Sequence, residues 1–304
     1  MHDIIVIGGG PAGMTAALYA LRNGKSALVI EKNGFGGQIT HSPKVENYPG
    51  TLQISGNELA EKMLDQILAQ GAEIELETVT GIEDQGDHKT VLTEEGSRFE
   101  GRAVVIATGV KHRMLGLEGE EDLVGDGISF CAVCDGDFYT GKNVCVAGGG
   151  NSALQEALLL ADKCASVTVL QDLPACTGEQ RLQDLLFARP NVTLKTNVKI
   201  LRLLTESGAF SGLETENTAT GARETVPCDG LFVAIGLIPE NGPFAALADL
   251  NPWGYFDSGE DCRTRTPGVF VAGDCRSKQV RQITTATADG AAAALAACRY
   301  INGQ

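Results

Sequence analysis

The chain has 304 residues, of which 43% are hydrophobic and 21% are charged, and its formal net charge is −15. This composition is typical of an ordinary globular protein rather than a disordered or fibrous one, and the length is sufficient for two domains. The excess of negative charge argues against nucleic acid or an anionic membrane as a partner, because most of the surface would repel either one.

The start of the chain predicts a βαβ unit. Residues 3–7 form a continuous, mostly β-branched run that is typical of a parallel strand buried on both faces. A turn with the spacing G-x-G-x-x-G follows at 8–13, then a helix over residues 14–22 and a second strand at 26–30, which closes on Glu31. Such glycines allow a pyrophosphate to approach a helix N-terminus, and the carboxylate can bind a ribose hydroxyl. The unit therefore predicts a dinucleotide site.

Two cysteines, Cys131 and Cys134, lie at a position that predicts the start of a helix. Two cysteines at this spacing can bridge reversibly, and a helix N-terminus favours the thiolate that attacks a disulfide near neutral pH. Asp135 could exchange a proton with the departing thiol. The alternatives are a zinc site, a structural disulfide or two ordinary buried thiols. The histidines, at positions 2, 41, 88 and 112, form no zinc partner set, and no metal site is expected.

The remaining seven of the nine cysteines stand alone in the sequence and are interpreted as buried or inert thiols. An odd number of cysteines spread over a long chain is unlike the dense framework of a small secreted domain. No apolar run approaches the roughly 18 residues that span a bilayer, and the N-terminal apolar stretch lacks the basic region of a signal peptide. We therefore expect a cytoplasmic protein that does not bind a membrane.

A second strand, turn and helix follow the cysteine pair. Residues 143–147 are interpreted as a strand, 154–163 as a helix and 166–170 as another strand, and the turn at 148–153 has the spacing G-x-G-x-x-A. The chain therefore contains two dinucleotide-type folds, which is a duplication of architecture within one sequence. The predicted fold class is α/β, with two Rossmann-like, three-layer domains of the FAD/NAD(P)-binding type.

The residues after the second strand of this later unit are unusual for a nicotinamide site. An NADPH site needs cations there, because the 2′-phosphate must be neutralised. The chain instead has Gln171, Asp172, Leu173 and Thr177. Asp172 could accept hydrogen bonds from the ribose of NADH. Three alternatives stay open, namely NADPH, NADH, or no pyridine nucleotide with Asp172 as a solvated surface charge.

Two further strand-like segments, residues 103–109 and 230–236, end in small-residue turns where the chain is expected to cross between domains. These segments bracket a central domain, residues 116–241, which carries the cysteine pair. Residues 1–115 and 242–304 would together form the first domain, which is therefore discontinuous in sequence.

Seven short motifs follow one another along nearly the whole chain. They are Gly8 to Gly13, Gly36-Gly37-Gln38, Glu46 to Gly50, Ala107-Thr108-Gly109, Cys131 to Gly136, Gly268 to Asp274 and Arg281-Gln282-Ile283. This ordered set resembles the low-molecular-weight thioredoxin reductases. The resemblance implies a homodimeric flavoprotein disulfide reductase that reduces thioredoxin through FAD and the Cys131/Cys134 pair. It also implies that Cys134 faces the flavin and that Cys131 attacks the substrate.

The resemblance further implies that FAD binds in the first domain and the NAD(P)-type fold is the central one. Its implied contacts with FAD are Gly8, Gly10, Pro11, Ala12 and Gly13 at the pyrophosphate, Glu31 at the adenosine ribose, Gln38 and Asn47 near the flavin, Asp274 at the ribityl chain, and Arg281, Gln282 and Ile283 along the isoalloxazine. Further cofactor-binding residues are expected at Lys32, Gly37, Thr108, Gly109 and Gly273.

Family members that use NADPH carry His-Arg-Arg and another Arg after the second strand of the central domain. All four positions differ here, which makes the chain similar to the ferredoxin-dependent, pyridine-nucleotide-independent branch. Binding of acidic ferredoxin would require a local basic patch, and the candidates are Lys111, His112, Arg113, Arg276, Lys278 and Arg281. The alternative is that these residues are ordinary solvated surface. A dithiol oxidase and a flavin-binding regulatory or electron-transfer module also stay open as functions of this fold.

Overall fold

The computed structural model describes residues 1–42 and 45–304. The chain divides into two compact units, Met1–Lys111 with Ile238–Gln304, and His112–Leu237. The chain crosses between them after Lys111 and after Leu237, whereas the boundaries predicted from the sequence follow residues 115 and 241. Within the described ranges no helix combines the length and the hydropathy that crossing a bilayer requires.

The elements up to the first crossing are β1 (His2–Ile7), α1 (Pro11–Arg22), β2 (Ala27–Glu31), α2 (Gly56–Ala69), β3 (Glu73–Leu76), β4 (Val79–Asp84), β5 (Lys89–Thr93), β6 (Arg98–Ile106) and β7 (Lys111–His112). Those of the second unit are β8 (Ile128–Ser129), α3 (Ala132–Asp135), β9 (Asn143–Ala147), α4 (Asn151–Ala161), β10 (Ser166–Leu170), α5 (Gln180–Phe187), β11 (Val192–Lys195), β12 (Val198–Glu206), β13 (Ala209–Asn217), β14 (Arg223–Pro227) and β15 (Gly230–Val233). After the second crossing the elements are β16 (Leu237–Ile238), β17 (Val269–Val271) and α6 (Ile283–Ile301).

The first unit is built on a sheet with the strand order β3-β2-β1-β6-β5-β4, and β17 also pairs with β6. β1 runs parallel to both β2 and β6. Its residues 4–7 are at most 4% exposed, because the strand is covered on both faces. Ile4 and Val6 pack against a layer that includes α1 and α6, whereas Ile5 and Ile7 pack with Phe244 on the other face.

The second unit repeats this plan with a sheet of order β11-β10-β9-β15-β8. Val144 and Val146 of β9 pack with apolar residues of α4, whereas Cys145 lies on the opposite face with residues of the antiparallel sheet β12-β13-β14. The side chains of β9 therefore alternate between two buried layers. The α/β fold with two Rossmann-like units is confirmed.

The predicted elements agree closely with the observed ones where the sequence signal is local. The strands predicted at 143–147 and 166–170 have the bounds of β9 and β10. The two predicted helices begin earlier, at Pro11 and Asn151, because the glycine turns are their N-caps. The strand predicted at 103–109 is the second half of the longer β6 and ends at Ile106.

Candidate active site

Cys131 and Cys134 are joined by a disulfide, with their Cα atoms 5.3 Å apart. Cys131 is the N-cap residue of α3, and the peptide N–H of Cys134 donates to Cys131 Sγ at 3.2 Å. Residues three apart lie on the same face of a helical turn, so the fold brings the two sulfurs together. Both cysteines are partly exposed, and Val133 between them is 54% exposed. The pair is thus accessible at the start of a helix.

A serine links this disulfide to a buried carboxyl group. The peptide N–H of Cys131 donates to Ser129 Oγ at 3.1 Å, and this hydroxyl donates to Asp135 Oδ2 at 2.6 Å. Asp135 Oδ1 is buried and has no partner among the described residues. Burial raises the pKa of Asp135, although the hydrogen bond from Ser129 opposes the shift. Asp135 can therefore hold a proton beside the pair. The sequence did not identify Ser129, whose one signal is its place just before the C-x-x-C motif.

A second acid, Glu156, comes from α4 and was also missed by the sequence interpretation. Its Oε2 atom is buried and has no partner among the described residues. Burial raises the pKa of Glu156 to about 8, the charge of Asp135 acts in the same direction, and hydrogen bonding from the Ala132 N–H opposes both. Glu156 stands one helical turn from the buried Ala153 and Leu160. An acidic residue on an otherwise apolar helix face was the one sequence feature that could have indicated this buried acid.

The turn at residues 8–13 is held together by close backbone approach. Gly8 has φ +108, and a Cβ there would overlap the carbonyl of Ala107, while a Cβ on Gly13 would overlap the carbonyl of Gly8. Gly10 differs, since a Cβ there would lie 3.9 Å from its nearest neighbour. α1 begins at Pro11 without an acidic residue in its first turn. The first N–H groups of a helix lack intrahelical partners, so the turn suits an anionic group.

Glu31 lies beside this turn, as the βαβ pattern predicts. Its Oε2 accepts the N–H of Gly9 at 2.6 Å, and its Oε1 accepts the N–H of Asn33 at 3.0 Å. The neighbouring Lys32 forms an ion pair with Glu240. The carboxylate of Glu31 is therefore fixed at the end of β2, and the Lys32 ammonium is engaged in that ion pair.

The predicted segments at Thr108 and at Gly273-Asp274 lie close to each other and to the first glycine turn. A Cβ on Gly273 would come within 2.7 Å of Ala12 Cβ, so the turn that carries Asp274 lies against the first glycine turn. Thr108 Oγ1 donates to Asn241 Oδ1 at 3.2 Å, and Asn241 Nδ2 donates to the carbonyl of Cys275 at 2.8 Å. Asn241, which is 1% exposed, was not among the predicted residues.

Asp274 has an unsatisfied acceptor. Its Oδ1 is buried and has no partner among the described residues. Burial raises the pKa of Asp274 to about 6, against the opposing charges of Lys278 and Arg281. A buried carboxylate oxygen of this kind needs a donor, and a bound hydroxyl group could supply one.

The residues predicted near a flavin ring are partly brought together. Asn47 Nδ2 donates to Gln282 Oε1 at 3.2 Å, although the two lie far apart in sequence. Gln282 is the N-cap of α6, which starts at Ile283. The remaining predicted residues of this group, Gly37, Gln38 and Gly109, are at least partly exposed.

Comparisons with known proteins identify the family. Residues 2–290 match the family model described as pyridine nucleotide-disulphide oxidoreductase. The chain is 39% identical over 301 residues to a thioredoxin reductase of Listeria monocytogenes, covering 99% of this chain and 94% of the relative. It is 38% identical over 302 residues to a thioredoxin reductase of Bacillus subtilis, covering 99% and 95%. The crystal structure of thioredoxin reductase from Streptococcus pyogenes matches with a TM-score of 0.94, at 39% identity, over 100% of this chain and 99% of that one. The chain belongs to the low-molecular-weight thioredoxin reductase family. It is accordingly an oxidoreductase and a flavoprotein.

This thioredoxin reductase family member has a buried ion cluster that the sequence did not predict. Asp289 of α6 accepts the N–H of Gly273 at 3.0 Å, and it pairs with Arg276 at 2.8 Å and with Lys278 at 2.9 Å. The side chains of Arg276 and Lys278 are 5% and 11% exposed. A buried carboxylate requires counter-charges, and these two cations supply them.

The prediction of a basic patch is therefore wrong for Arg276 and Lys278, which are neither docking cations nor ordinary solvated surface. Arg281 lies with its guanidinium 4.3 Å from the centre of the Tyr255 ring and donates to the carbonyl of Asp274 at 3.3 Å. Lys111 is exposed but pairs with Glu240 at 2.8 Å. Sequence reasoning recognised the charges but not the partners that hold them inside the first unit.

The second glycine turn of the thioredoxin reductase fold is closed by uncharged residues. Gln171 is 3% exposed, its Nε2 donates to the carbonyl of Ala175 at 3.2 Å, and its side chain packs against Gly149. The N–H of Thr177 donates to the carbonyl of Gly149 at 2.8 Å. Asp172 and the following leucine are exposed. Between residues 171 and 178 the chain has no basic side chain.

Proposed function

We propose that this protein reduces the disulfide of thioredoxin through FAD and the Cys131/Cys134 pair, and that reduced ferredoxin supplies the electrons. The thioredoxin reductases of Listeria and Bacillus support the substrate. The choice of ferredoxin as electron donor rests on one observation, the lack of basic side chains at the edge of the second dinucleotide turn. There Gln171 is folded against Gly149 and Asp172 is exposed, so a 2′-phosphate would meet a negative charge and no cation.

The residues of the first unit fit FAD, and we propose that they hold it. The turn at Gly8 to Gly13 suits the pyrophosphate, and Glu31 at the end of β2 suits a ribose hydroxyl. The buried, unpartnered Oδ1 of Asp274 would accept a hydrogen bond from the ribityl chain. The other proposed contacts are Pro11, Ala12, Lys32, Gly37, Gln38, Asn47, Thr108, Gly109, Gly273, Arg281, Gln282 and Ile283. Bound FAD takes electrons singly or in pairs and delivers them to a disulfide as a pair.

The chain's own residues then carry the exchange of disulfides. Two electrons and one proton convert the Cys131–Cys134 disulfide to a thiol and a thiolate, and Asp135 can pass that proton to the sulfur. The second proton that the two released thioredoxin thiols need is taken up from solvent. The Cys131 thiolate attacks a sulfur of the thioredoxin disulfide, which releases one thioredoxin thiol and forms a mixed disulfide. The Cys134 thiolate next attacks Cys131 Sγ, which releases the second thioredoxin thiol and restores the original disulfide. Ser129 orients Asp135 throughout by its hydrogen bond at 2.6 Å.

NADH is a second candidate donor, and one observation favours it. Asp172 is exposed just beyond the end of β10, where a carboxylate can accept hydrogen bonds from an unphosphorylated ribose. Family membership sets aside the non-enzymatic flavin module. The dithiol oxidase has no observation in its favour.

The test of the donor is anaerobic mixing of the flavin-loaded enzyme with NADPH, NADH or reduced ferredoxin, followed at the flavin absorbance band. We expect bleaching within seconds by ferredoxin, slow or no bleaching by either nucleotide, and reduction of thioredoxin that depends on ferredoxin. Rapid bleaching by NADPH would overturn the proposal, and rapid bleaching by NADH would favour the second candidate. Oxygen consumption with a dithiol would identify the oxidase.

We also propose the assembly and location that the resemblance and composition imply. The discontinuous unit would be the FAD-binding domain and the central unit an NAD(P)-type domain that carries the cysteine pair. The protein would be a homodimer, with a solution mass of twice 31.9 kDa by light scattering. A cytoplasmic location agrees with seven cysteines that are free thiols. Fractionation of cells that express the natural protein would check it.

A further inference from the structure

Two buried carboxyl groups flank the short helix that carries the cysteine pair, and the proposed reaction uses only Asp135. Asp135 and Glu156 each have one buried oxygen without a partner among the described residues. Glu156 belongs to α4, which packs against this helix, and the backbone N–H of Ala132, which directly follows Cys131, acts to lower the pKa of its carboxyl group. An acidic side chain in an otherwise apolar layer is costly, which calls for a reason why it is there.

We propose that Glu156 is a positioning residue that couples reduction of the Cys131–Cys134 disulfide to the binding of a proton. The inference rests on the proposed redox use of the pair. When the disulfide opens, the reduced pair carries a thiolate close to the Ala132 N–H. A carboxylate at Glu156 would then repel this thiolate, so Glu156 binds a proton and leaves one negative charge in place of two.

The surroundings of Glu156 support this coupling. α3 presents Asp135, whose charge raises the pKa of Glu156. The faces of β9 and β10 that pack on α4 contribute the apolar Val146 and Val169, and α5 contributes the buried Leu186. The charged residues of α5, at positions 181 and 184, are exposed. Among the described residues no cation contributes to the pKa shift of Glu156, so a new charge on the pair is strongly felt at its carboxyl group.

The proton balance of the reduction follows directly. In the disulfide state the pKa of Glu156 is about 8, so above that pH its carboxyl group is ionised. Reduction there consumes two electrons and two protons, one bound by a cysteine sulfur and one by Glu156, and gives a thiol, a thiolate and a neutral acid. Without a titrating group at this position, the same reduction consumes one proton. Since each proton consumed changes the equilibrium constant tenfold per pH unit, the two cases are separable.

The experiment equilibrates the FAD-loaded enzyme with mixtures of reduced and oxidised dithiothreitol between pH 6.5 and about 9.5. Acid quenching, alkylation and mass spectrometry then give the reduced fraction of the peptide that carries Cys131 and Cys134. We compare the wild type with Glu156→Gln, which keeps the shape and the acceptor oxygen but cannot ionise. Dithiothreitol releases two protons with its two electrons, so between about pH 8 and pH 9 the equilibrium constant of this exchange should stay nearly constant in the wild type and rise up to about tenfold in Glu156→Gln. Near pH 6.5 the two should agree.

Asp162→Asn is the matched control, because it removes a carboxylate from the exposed end of the same helix, where Asp162 pairs with Arg189 at 2.7 Å. This control should follow the wild type at every pH. Glu156→Asp, which still titrates, should retain the extra proton. Equal pH dependence in the wild type and Glu156→Gln overturns the proposal.

A second measurement needs only the wild type, so it remains decisive if Glu156→Gln does not fold. The infrared difference spectrum between oxidised and reduced enzyme at pH 8.5 should gain a protonated-carboxyl band on reduction. Absence of that band overturns the proposal. A pair that no dithiothreitol ratio can reduce would overturn the proposed function as well, and this failure differs visibly from a reducible pair with equal pH dependence.

Discussion

Replacing Asp274 by Asn should stabilise the protein freed of FAD and at the same time weaken FAD binding. The pKa of Asp274 rises from 3.8 to about 6 on folding, chiefly through burial. A carboxyl group with a raised pKa favours folding below its unfolded pKa, and this benefit is lost as the pH rises through the folded pKa. At pH 7.5 the ionised group thus costs up to about 3 kcal/mol, at 1.36 kcal/mol per pKa unit. An uncharged amide avoids that cost.

FAD binding should respond in the opposite direction. The proposed ribityl hydroxyl would donate to the buried Oδ1, and a hydrogen bond to a charged acceptor contributes about 1.5–3 kcal/mol. Its replacement by a neutral amide should therefore weaken FAD about 10- to 100-fold.

Two titrations measure these effects. Flavin fluorescence during addition of FAD to the apoprotein gives the affinity, and thermal unfolding of the apoprotein at pH 4 and pH 7.5 gives the stability. The stabilising effect of Asp274→Asn should be large at pH 7.5 and nearly absent at pH 4. Asp261→Asn is the control, since Asp261 lies on the surface with a side chain that is 60% exposed. A variant that binds FAD like the wild type, or that is less stable at pH 7.5, would refute the reasoning.

Three further variants test other parts of the site. Ser129→Ala removes the hydrogen bond that opposes the raised pKa of Asp135, so this pKa should rise further. The corresponding limb of the pH profile of kcat/KM for thioredoxin should then move to higher pH. An unchanged profile would argue against Asp135 as the proton carrier. Asp289→Asn leaves two buried cations without their counter-charge and should lower the free energy of unfolding by about 3–5 kcal/mol, measured by denaturant unfolding. A loss no larger than that of Asp261→Asn would contradict a stabilising role for this ion cluster. Cations placed after β10 should tighten NADPH binding about tenfold or more, as measured by a fluorescence titration at low salt. An unchanged affinity would mean that other residues exclude the nucleotide. The combined variant is Gln171→His, Asp172→Arg, Leu173→Arg and Thr177→Arg.

The sequence predicted the parts of the molecule whose conformation is decided locally. Runs such as residues 4–7 and 143–147 are strands because buried, β-branched segments fit a parallel sheet. The cysteine pair was predictable because its chemistry depends on two residues at a fixed spacing, Cys131 and Cys134. Both inferences need only neighbouring residues; the strands are observed, and the two cysteines are joined by a disulfide, while the redox role of the pair stays a prediction.

Single polar residues whose partners are distant in sequence could not be predicted in this way. Asp289 lies 16 residues from the Gly273 N–H that it accepts, and Asn241 joins the turns at Thr108 and Cys275. No periodic pattern marks such residues, since their hydrogen bonds exist only after the sheet has brought the segments together. For the same reason the sequence predicted a surface position for Arg276, although its side chain is buried beside Asp289.

The two glycine turns show why the motif alone is a weak guide to a ligand. Gly148 has φ +120, and a Cβ there would overlap the carbonyl of Ala234, just as a Cβ on Gly8 would overlap that of Ala107. Each of these glycines is therefore required by strand and turn packing, whether or not a nucleotide binds. The glycines that follow are also alike in the two turns: a Cβ on Gly9 would overlap the side chain of Phe35, and one on Gly149 would overlap that of Gln171. The two turns differ instead at the end of the next strand, where Glu31 accepts the N–H of Gly9 but the uncharged Gln171 covers Gly149. A chain that binds no nicotinamide nucleotide would still need these glycines to preserve the fold, so the proposed choice of donor rests on the residues after β10 and not on the glycine motif.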